Sequence, residues 1–233
     1  MTKLYLIPTA ISPDTDNAVL LPEQLLEIKH LQHFIVETAK IARQHIKQLG
    51  LNTSLQELNI QELNKHNQNL NELIKPLLSG NDVGLISDCG VPAIADPGSQ
   101  IVNLCHKNGI TVIPLVGPSS ILLALMASGV NGQSFAFNGY LPIEQIARIA
   151  KIKHLQELII KYNQSQIIIE APFRNHQLLE ILIKTLSSNI ILSIAINLMS
   201  KNENIISKEI KDWQNLKTLP SIHKQEVVFI IGK

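Results

Sequence analysis

"DVGLISDCGVPAIADPGSQIVNLCHKNGITVIPLV", residues 82–116, decides the fold. The apolar run 82–87 reads as a buried strand, and 99–109 reads as a helix closed by Gly109. A second apolar run, 110–116, follows as another strand. Strand, helix and strand in that order make a βαβ unit and therefore a parallel sheet. The connection between the first strand and its helix is unusual. Residues 87–98 hold two aspartates, two prolines and two glycines where a turn of a few residues would suffice. Pro92 and Pro97 fix φ and reduce the entropy lost in holding one shape. Gly90 and Gly98 permit backbone angles or close approaches that a side chain blocks. Ligands of open α/β sheets bind at the carboxyl ends of strands, where this loop sits. Asp88 and Asp96 can accept hydrogen bonds from a ligand there. Asp96 can equally cap the helix, with Pro97 as its first residue. Cys89 reads as a small buried filler, with no base nearby to make it a thiolate.

The same alternation extends outward. Strands are expected at 3–7, 33–37 and, more weakly, 61–64. Helices are expected at 22–31, 38–49 (stopped by Gly50) and 69–80 (interrupted near Pro76). "ISPDTDN" (11–17) is loop by its turn chemistry. "VGPSS" (116–120) turns the chain into the small-residue helix 121–129, with Ser119 or Ser120 as its cap. Beyond Gly129 a short strand lies within 131–142, followed by a helix over about 143–161. Strands are then expected at 166–172, 190–196, 204–210 and 225–232, with helices at 174–187 and just after Lys211. Strands in succession indicate a mixed or antiparallel sheet. Two α/β lobes result, 1–116 and 117–233.

Composition narrows the function classes. The chain has 233 residues, 45% hydrophobic and 17% charged, which suits a folded core rather than disorder. A formal net charge of +1 gives no long-range field for nucleic acid, although a local basic groove is compatible with it. Two cysteines, Cys89 and Cys105, cannot make a disulfide framework, and no spacing suggests a metal site. No apolar run approaches membrane-spanning length, and the amino-terminal run is too short for a signal peptide. A cytoplasmic protein is expected. Glu37 and Glu170 each end an apolar strand, and carboxylates are seldom buried unless paired. Arg174, four residues beyond Glu170, can pair with it. Of eight histidines, only His66 falls in an expected strand-end loop.

Taken in order, "SDCGVPAIADPG", "PLVGPSSILLALMASG", "FAFNGYLP" and "IIIEAPFRNHQLLE" resemble the tetrapyrrole-methylase-like (class III) S-adenosylmethionine-dependent methyltransferases. The branch they resemble most is the small-subunit ribosomal RNA (cytidine-2′-O)-methyltransferases. The resemblance implies a two-lobed fold, with a mostly parallel N-terminal sheet, a mixed C-terminal sheet and the methyl donor in a cleft between the lobes. It also implies S-adenosylmethionine as cofactor, ribosomal RNA as acceptor, and a homodimer. By position, the donor-side residues are Asp88, Gly90, Val91, Pro92, Ile94, Asp96, Pro97 and Gly98. Ser119 and Ser120 follow at the next turn, and Met126 and Ala127 on the helix behind it. Glu170, Ala171 and Pro172 supply the wall of the second lobe. Glu37, Glu170 and Arg174 are the candidate catalytic groups. Two other readings fit a donor-binding fold: a sensor module without turnover, and a methylase of a porphyrinoid-like substrate. The string "AINLMS" (195–200) departs from the Arg-Glu-Leu-Thr-like string of the RNA branch, so the resemblance is weaker on the acceptor side.

Overall fold

A computed structural model describes residues 2–14, 19–63 and 69–233. The chain divides into two compact units, Met1–Ser119 and Ser120–Lys233. His66 and the end of the 11–17 loop lie outside the described residues.

The first unit is a five-stranded sheet in the order β3-β2-β4-β1-β5. Its strands are β1 (Lys3–Ile7), β2 (His33–Val36), β3 (Asn59–Glu62), β4 (Val83–Ile86) and β5 (Thr111–Pro114). Every pairing is parallel. All five carboxyl ends therefore share one edge. The central strand β4 is buried along its whole length, as its unbroken apolar run requires. Gly84 stands at its middle because a Cβ there would come within 2.8 Å of the Phe34 ring and 2.7 Å of Ile7 Cδ1. The helices are α1 (Pro22–Ile28), α2 (Ala39–Leu49), the short α3 (Leu70–Leu73) and α4 (Lys75–Leu78), and α5 (Ser99–Lys107). They cover two apolar clusters, one around Phe34, Ile46 and Ile86, the other around Leu85, Ile101 and Cys105.

In the second unit α6 (Ser120–Ser128) packs on a sheet ordered β6-β7-β10-β8-β9. The strands are β6 (Phe135–Phe137), β7 (Ser165–Ile169), β8 (Ile191–Ile196), β9 (Asn204–Glu209) and β10 (Val227–Gly232). β6 pairs parallel to β7, and the other three pairings are antiparallel. The mixed sheet expected from the run of strands is thus present. Helices α7 (Gln145–Tyr162), α8 (Asn175–Thr185) and α9 (Ile210–Gln214) enclose a large core that includes Trp213 and Phe229. Trp213 satisfies its buried indole by donating to the Leu192 carbonyl at 2.9 Å.

Two local expectations need correction. β3 runs two residues earlier than expected, because "NIQE" is a polar edge strand fixed by pairing to β2 rather than by its own apolar pattern. Strand β7 stops at Ile169, and Pro172–Arg174 form a 3-10 turn before α8. Helix α5 begins at Ser99, as expected, with Gly98 in the cap position. Gly98 takes φ 131°, where an L side chain is strained.

Candidate functional site

The strand-end edge of the first unit is knitted together by the loop that follows β4. The Thr9 amide, just past β1, donates to the Gly90 carbonyl at 2.8 Å. Its hydroxyl also reaches the Ser87 carbonyl at 3.4 Å. Past β2, the Thr38 amide donates to Asp88 Oδ1 at 3.1 Å and its hydroxyl to Asp88 Oδ2 at 2.7 Å. The Asp88 amide in turn donates to Glu37 Oε2 at 3.4 Å. Thr38 occupies the cap position of α2 but spends its hydroxyl on Asp88 rather than on its own helix. The first free amide of α2, on Ala39, is taken instead by Glu62 at 2.6 Å. Carboxylates from the strand ends on either side of β2 thus satisfy donors around one helix start, where negative charge is favoured.

The turn after β5 closes the platform. A Cβ on Gly117 would collide with the Pro8 ring, and one on Gly90 would sit 3.2 Å from the Pro118 carbonyl. Pro92 and Gly98 are buried, while Val91, Asp96 and Pro97 are half-buried. Ala93 and Ala95 take φ 66° and 64°, a left-handed conformation uncommon outside glycine. Between them Ile94 is 54% exposed. Such a loop holds its backbone out of the ordinary regions at a cost of order 1–3 kcal/mol per residue. Surrounding contacts must over-determine it, and the bonds from Thr9 and Thr38 fasten its first residues. Cys89 is exposed rather than buried, correcting the expected filler role. Its thiol leans on the Ile11 carbonyl at 3.5 Å. Cys105 is the buried cysteine, and burial pushes its thiol up to about 11.

His45, on α2, faces the same loop. Burial lowers it below its ordinary value of 6.5, and a bond to the Asp88 backbone together with the Asp88 charge only partly offsets this.

The second unit supplies a separate set. At the end of β7, Glu170 has a fully buried side chain. Its Oε1 accepts from the Ala171 amide at 2.8 Å and from Arg174 Nε and Nη2 at 3.0 and 2.6 Å. The pairing of Glu170 with Arg174 is therefore real. Oε2 of the same carboxylate is buried without any hydrogen-bond partner among the described residues. On α6, Ser120 is half-buried, Met126 is 79% exposed and Ala127 is exposed, while Ser119 just ahead is buried.

The predicted residues thus fall into two constellations, one in each unit: Glu37, Asp88 and Gly90 in the first, Glu170, Ala171 and Arg174 in the second. Thr9, Thr38, Gly117 and His45 were missed. Only Thr38 carried a signal, its place between a strand-end glutamate and a helix. No His, Cys, Asp or Glu cluster suited to a metal occurs among the described residues. No helix there is long and apolar enough to cross a membrane.

S-adenosylmethionine is a test of these groups, since it carries an adenine, ribose hydroxyls, an ammonium and a carboxylate. Taken by itself, the first unit offers apolar contact from Ile94, and the second offers Met126 and the buried carboxylate of Glu170, whose Oε2 lacks a donor. Each set has chemistry that suits part of that molecule.

Both sheets together define the tetrapyrrole-methylase fold. The methyltransferase CobJ superposes with a TM-score of 0.62 at 14% identity, covering 100% of this chain and 93% of that one. The cobalt precorrin-4 methyltransferase CbiF gives 0.60 at 12%, covering 99% and 94%. No family model matches the chain. Among curated proteins, the ribosomal RNA small subunit methyltransferase I of Hydrogenobaculum sp. is 31% identical over 232 residues, 99% of this chain and 96% of that protein. Its namesake in Buchnera aphidicola subsp. Schizaphis graminum is 31% identical over 98% of this chain and 77% of its own length. The Vibrio cholerae protein of that name is 40% identical over 114 residues, which are 48% of this chain and 38% of that protein. The chain belongs to the ribosomal RNA small subunit methyltransferase I family of S-adenosylmethionine-dependent methyltransferases.

Proposed function

We propose that the chain transfers the methyl group of S-adenosylmethionine to the ribose 2′-hydroxyl of a cytidine in small-subunit ribosomal RNA. The observation that carries this reading is the match to the Hydrogenobaculum protein, which runs through 99% of the chain and so takes in both units. The donor supplies an electrophilic methyl carbon on a sulfonium. What the chain must do is hold donor and acceptor in line at near-attack distance. The loop Asp88–Gly98 is the donor-side floor, its backbone fixed by the tethers from Thr9 and Thr38. This reading also assigns to the donor Ser119 at the end of the first unit and, in the second, Ser120, Met126, Ala127 and Glu170–Pro172, where Glu170 Oε2 is a buried oxygen without a partner. Arg174 acts by holding Glu170 in one rotamer through two bonds to Oε1. Glu37, bonded to the Asp88 amide, is a positioning residue of the floor. The working form in this reading is a cytoplasmic homodimer.

The test is incubation of the purified chain with methyl-labelled donor and small ribosomal subunits from a strain lacking the gene. A 2′-O-methyl group blocks alkaline cleavage of the adjoining phosphodiester. Label in an alkali-resistant dinucleotide is the expected result. Label released as a mononucleotide, or absent from RNA, overturns the assignment.

A further inference from the structure

The second sheet has an edge of its own, of which the donor-side residues Glu170–Pro172 account for only the end of β7. Because β6, β7 and β8 end there while β9 and β10 begin there, five segments meet along it. Tyr140 follows β6, Phe173 follows β7, Gln225 precedes β10, Asn197 follows β8 and Asn204 opens β9. Four strand spacings separate the first from the last, roughly 19 Å.

One end of this row is aromatic. Tyr140 is 63% exposed and Phe173 is 65% exposed. The Ile169 amide donates to the Gly139 carbonyl at 3.1 Å, which ties the residue before Tyr140 to the end of β7. The Arg174 guanidinium lies 5.5 Å from the centre of the Phe173 ring. It cannot wander, because Glu170 holds it from a buried position. The other end is a cavity of about 590 Å³, walled by Ile196 and Pro220 and lined by the carboxamides of Asn197, Asn202, Asn204 and Gln225. Asn197 and Gln225 are held in place: Asn197 Nδ2 donates to Gln225 Oε1 at 3.2 Å, and Gln225 Nε2 to the Ser221 carbonyl at 3.0 Å. Beneath them Asn175 donates to the Gln225 carbonyl at 2.7 Å, while its own Oδ1 is buried without a partner. Two hydrogen bonds connect the aromatic end to the cavity. One is this Asn175 bond; the other runs from the Lys224 amide to the Pro172 carbonyl at 3.1 Å. Asn197, Met199 and Lys224 all take left-handed φ, between 47° and 62°, so the rim is shaped against ordinary preference.

We infer that this edge binds unstacked nucleobases of single-stranded RNA, with one base edge read in the carboxamide cavity and a neighbouring base stacked on Phe173 and Arg174. A carboxamide presents a donor and an acceptor side by side, the pairing that base edges offer. Exposed aromatic and guanidinium planes are the usual platforms for splayed bases. Lys224 and His223 stand exposed beside Glu226, so the rim is of mixed charge and suits bases better than a run of phosphates. The inference rests on the ribosomal RNA reading above.

The experiment compares the full chain with Phe173→Ala, Phe173→Trp and Asn204→Ala, all at exposed positions. The probe is a fluorescein-labelled single-stranded RNA of mixed sequence, followed by anisotropy, and the same RNA as a duplex. The single strand should bind more tightly than the duplex. Phe173→Ala and Asn204→Ala should each weaken it about tenfold, within the range for losing one stacked or paired base. Phe173→Trp should keep the affinity, and its indole should be quenched on binding, while S-adenosylmethionine affinity by calorimetry stays within twofold in all three. Wild-type affinity in both truncations, equal binding of the duplex, or displacement of the RNA by an equal concentration of unstructured peptide overturns the site. Labelled transfer separates the two readings. If ribosomal RNA is methylated and both truncations keep the wild-type KM, this site falls and the function stands. If no RNA is methylated but both truncations still lose the single strand, the function falls and the site stands.

Discussion

Asp88 shows how one side chain can serve the fold and the site together. Both of its oxygens are occupied by Thr38, so the loop is fastened to the turn after β2 by an acid expected only to face a ligand. Replacing it with alanine leaves a half-buried amide and hydroxyl to find water. Asp88→Ala should lower the free energy of unfolding by about 1–3 kcal/mol, read from urea titration at neutral pH. His45 packs against the same loop and gives it a pH dependence. Its value in the folded chain lies below 6.5, so the unfolded chain takes up the proton first as pH falls. This contribution to stability is whole above about pH 6.5 and is lost as pH falls through the folded value. Urea midpoints between pH 7.5 and 5 should show a decline that His45→Gln reduces. An unchanged decline in the variant would assign it to other groups. The sequence showed the loop's rigidity through its prolines and glycines. It did not show who Asp88's partner was, because Thr38 lies fifty residues earlier.

Among the elements, the ones legible in advance had a pattern of their own. β4, α5 and β5 were readable from an unbroken apolar run, a helical period and a closing glycine. β3 was displaced because a polar edge strand takes its register from β2. The start of α5 falls at Ser99, where it was expected, and the chain enters it through a bend at Gly98. That bend is the reason alanine should fail there. At φ 131° a methyl group is strained, and its Cβ would stand 2.9 Å from Leu85 Cδ2. Gly98→Ala should therefore lose about 1–3 kcal/mol and shift the thermal midpoint downward. Gly109, also left-handed but with nothing within 4 Å of a Cβ, isolates the backbone cost from the packing cost. Gly109→Ala should fall between Gly98→Ala and wild type.

For the whole molecule, the fold class and both sheets were visible from the order of strands and helices, and the family from four short strings. The composition of each constellation was only half visible, since hydrogen bonds between strand ends leave no local mark. The molecule-scale prediction concerns the donor. Saturation with S-adenosylmethionine at about 100 times its Kd should stabilise the folded chain by roughly 2.7 kcal/mol, seen as a raised thermal midpoint. A midpoint that moves with neither the donor nor its demethylated product, with a blank calorimetric titration, would defeat the binding claim. The slope of RNA affinity against salt is the companion measurement. A site that grips bases and few phosphates should give a shallow slope, on the order of −1 to −2, because each phosphate neutralised on a single strand contributes about −0.7.

Gly117 fits over Pro8 with no room for a side chain, and the strands that carry them, β5 and β1, are neighbours in the sheet. This fit has a consequence for the order of events on the ribosome. At synthesis rates of 5–20 residues per second, roughly 5–22 s separate the making of Pro8 from the making of Gly117. Through that interval β1 has been made but lacks its outer neighbour, and the floor of the loop has no lid over Pro8. The strand-end edge of the first unit is thus completed late, once the turn after β5 has left the exit tunnel.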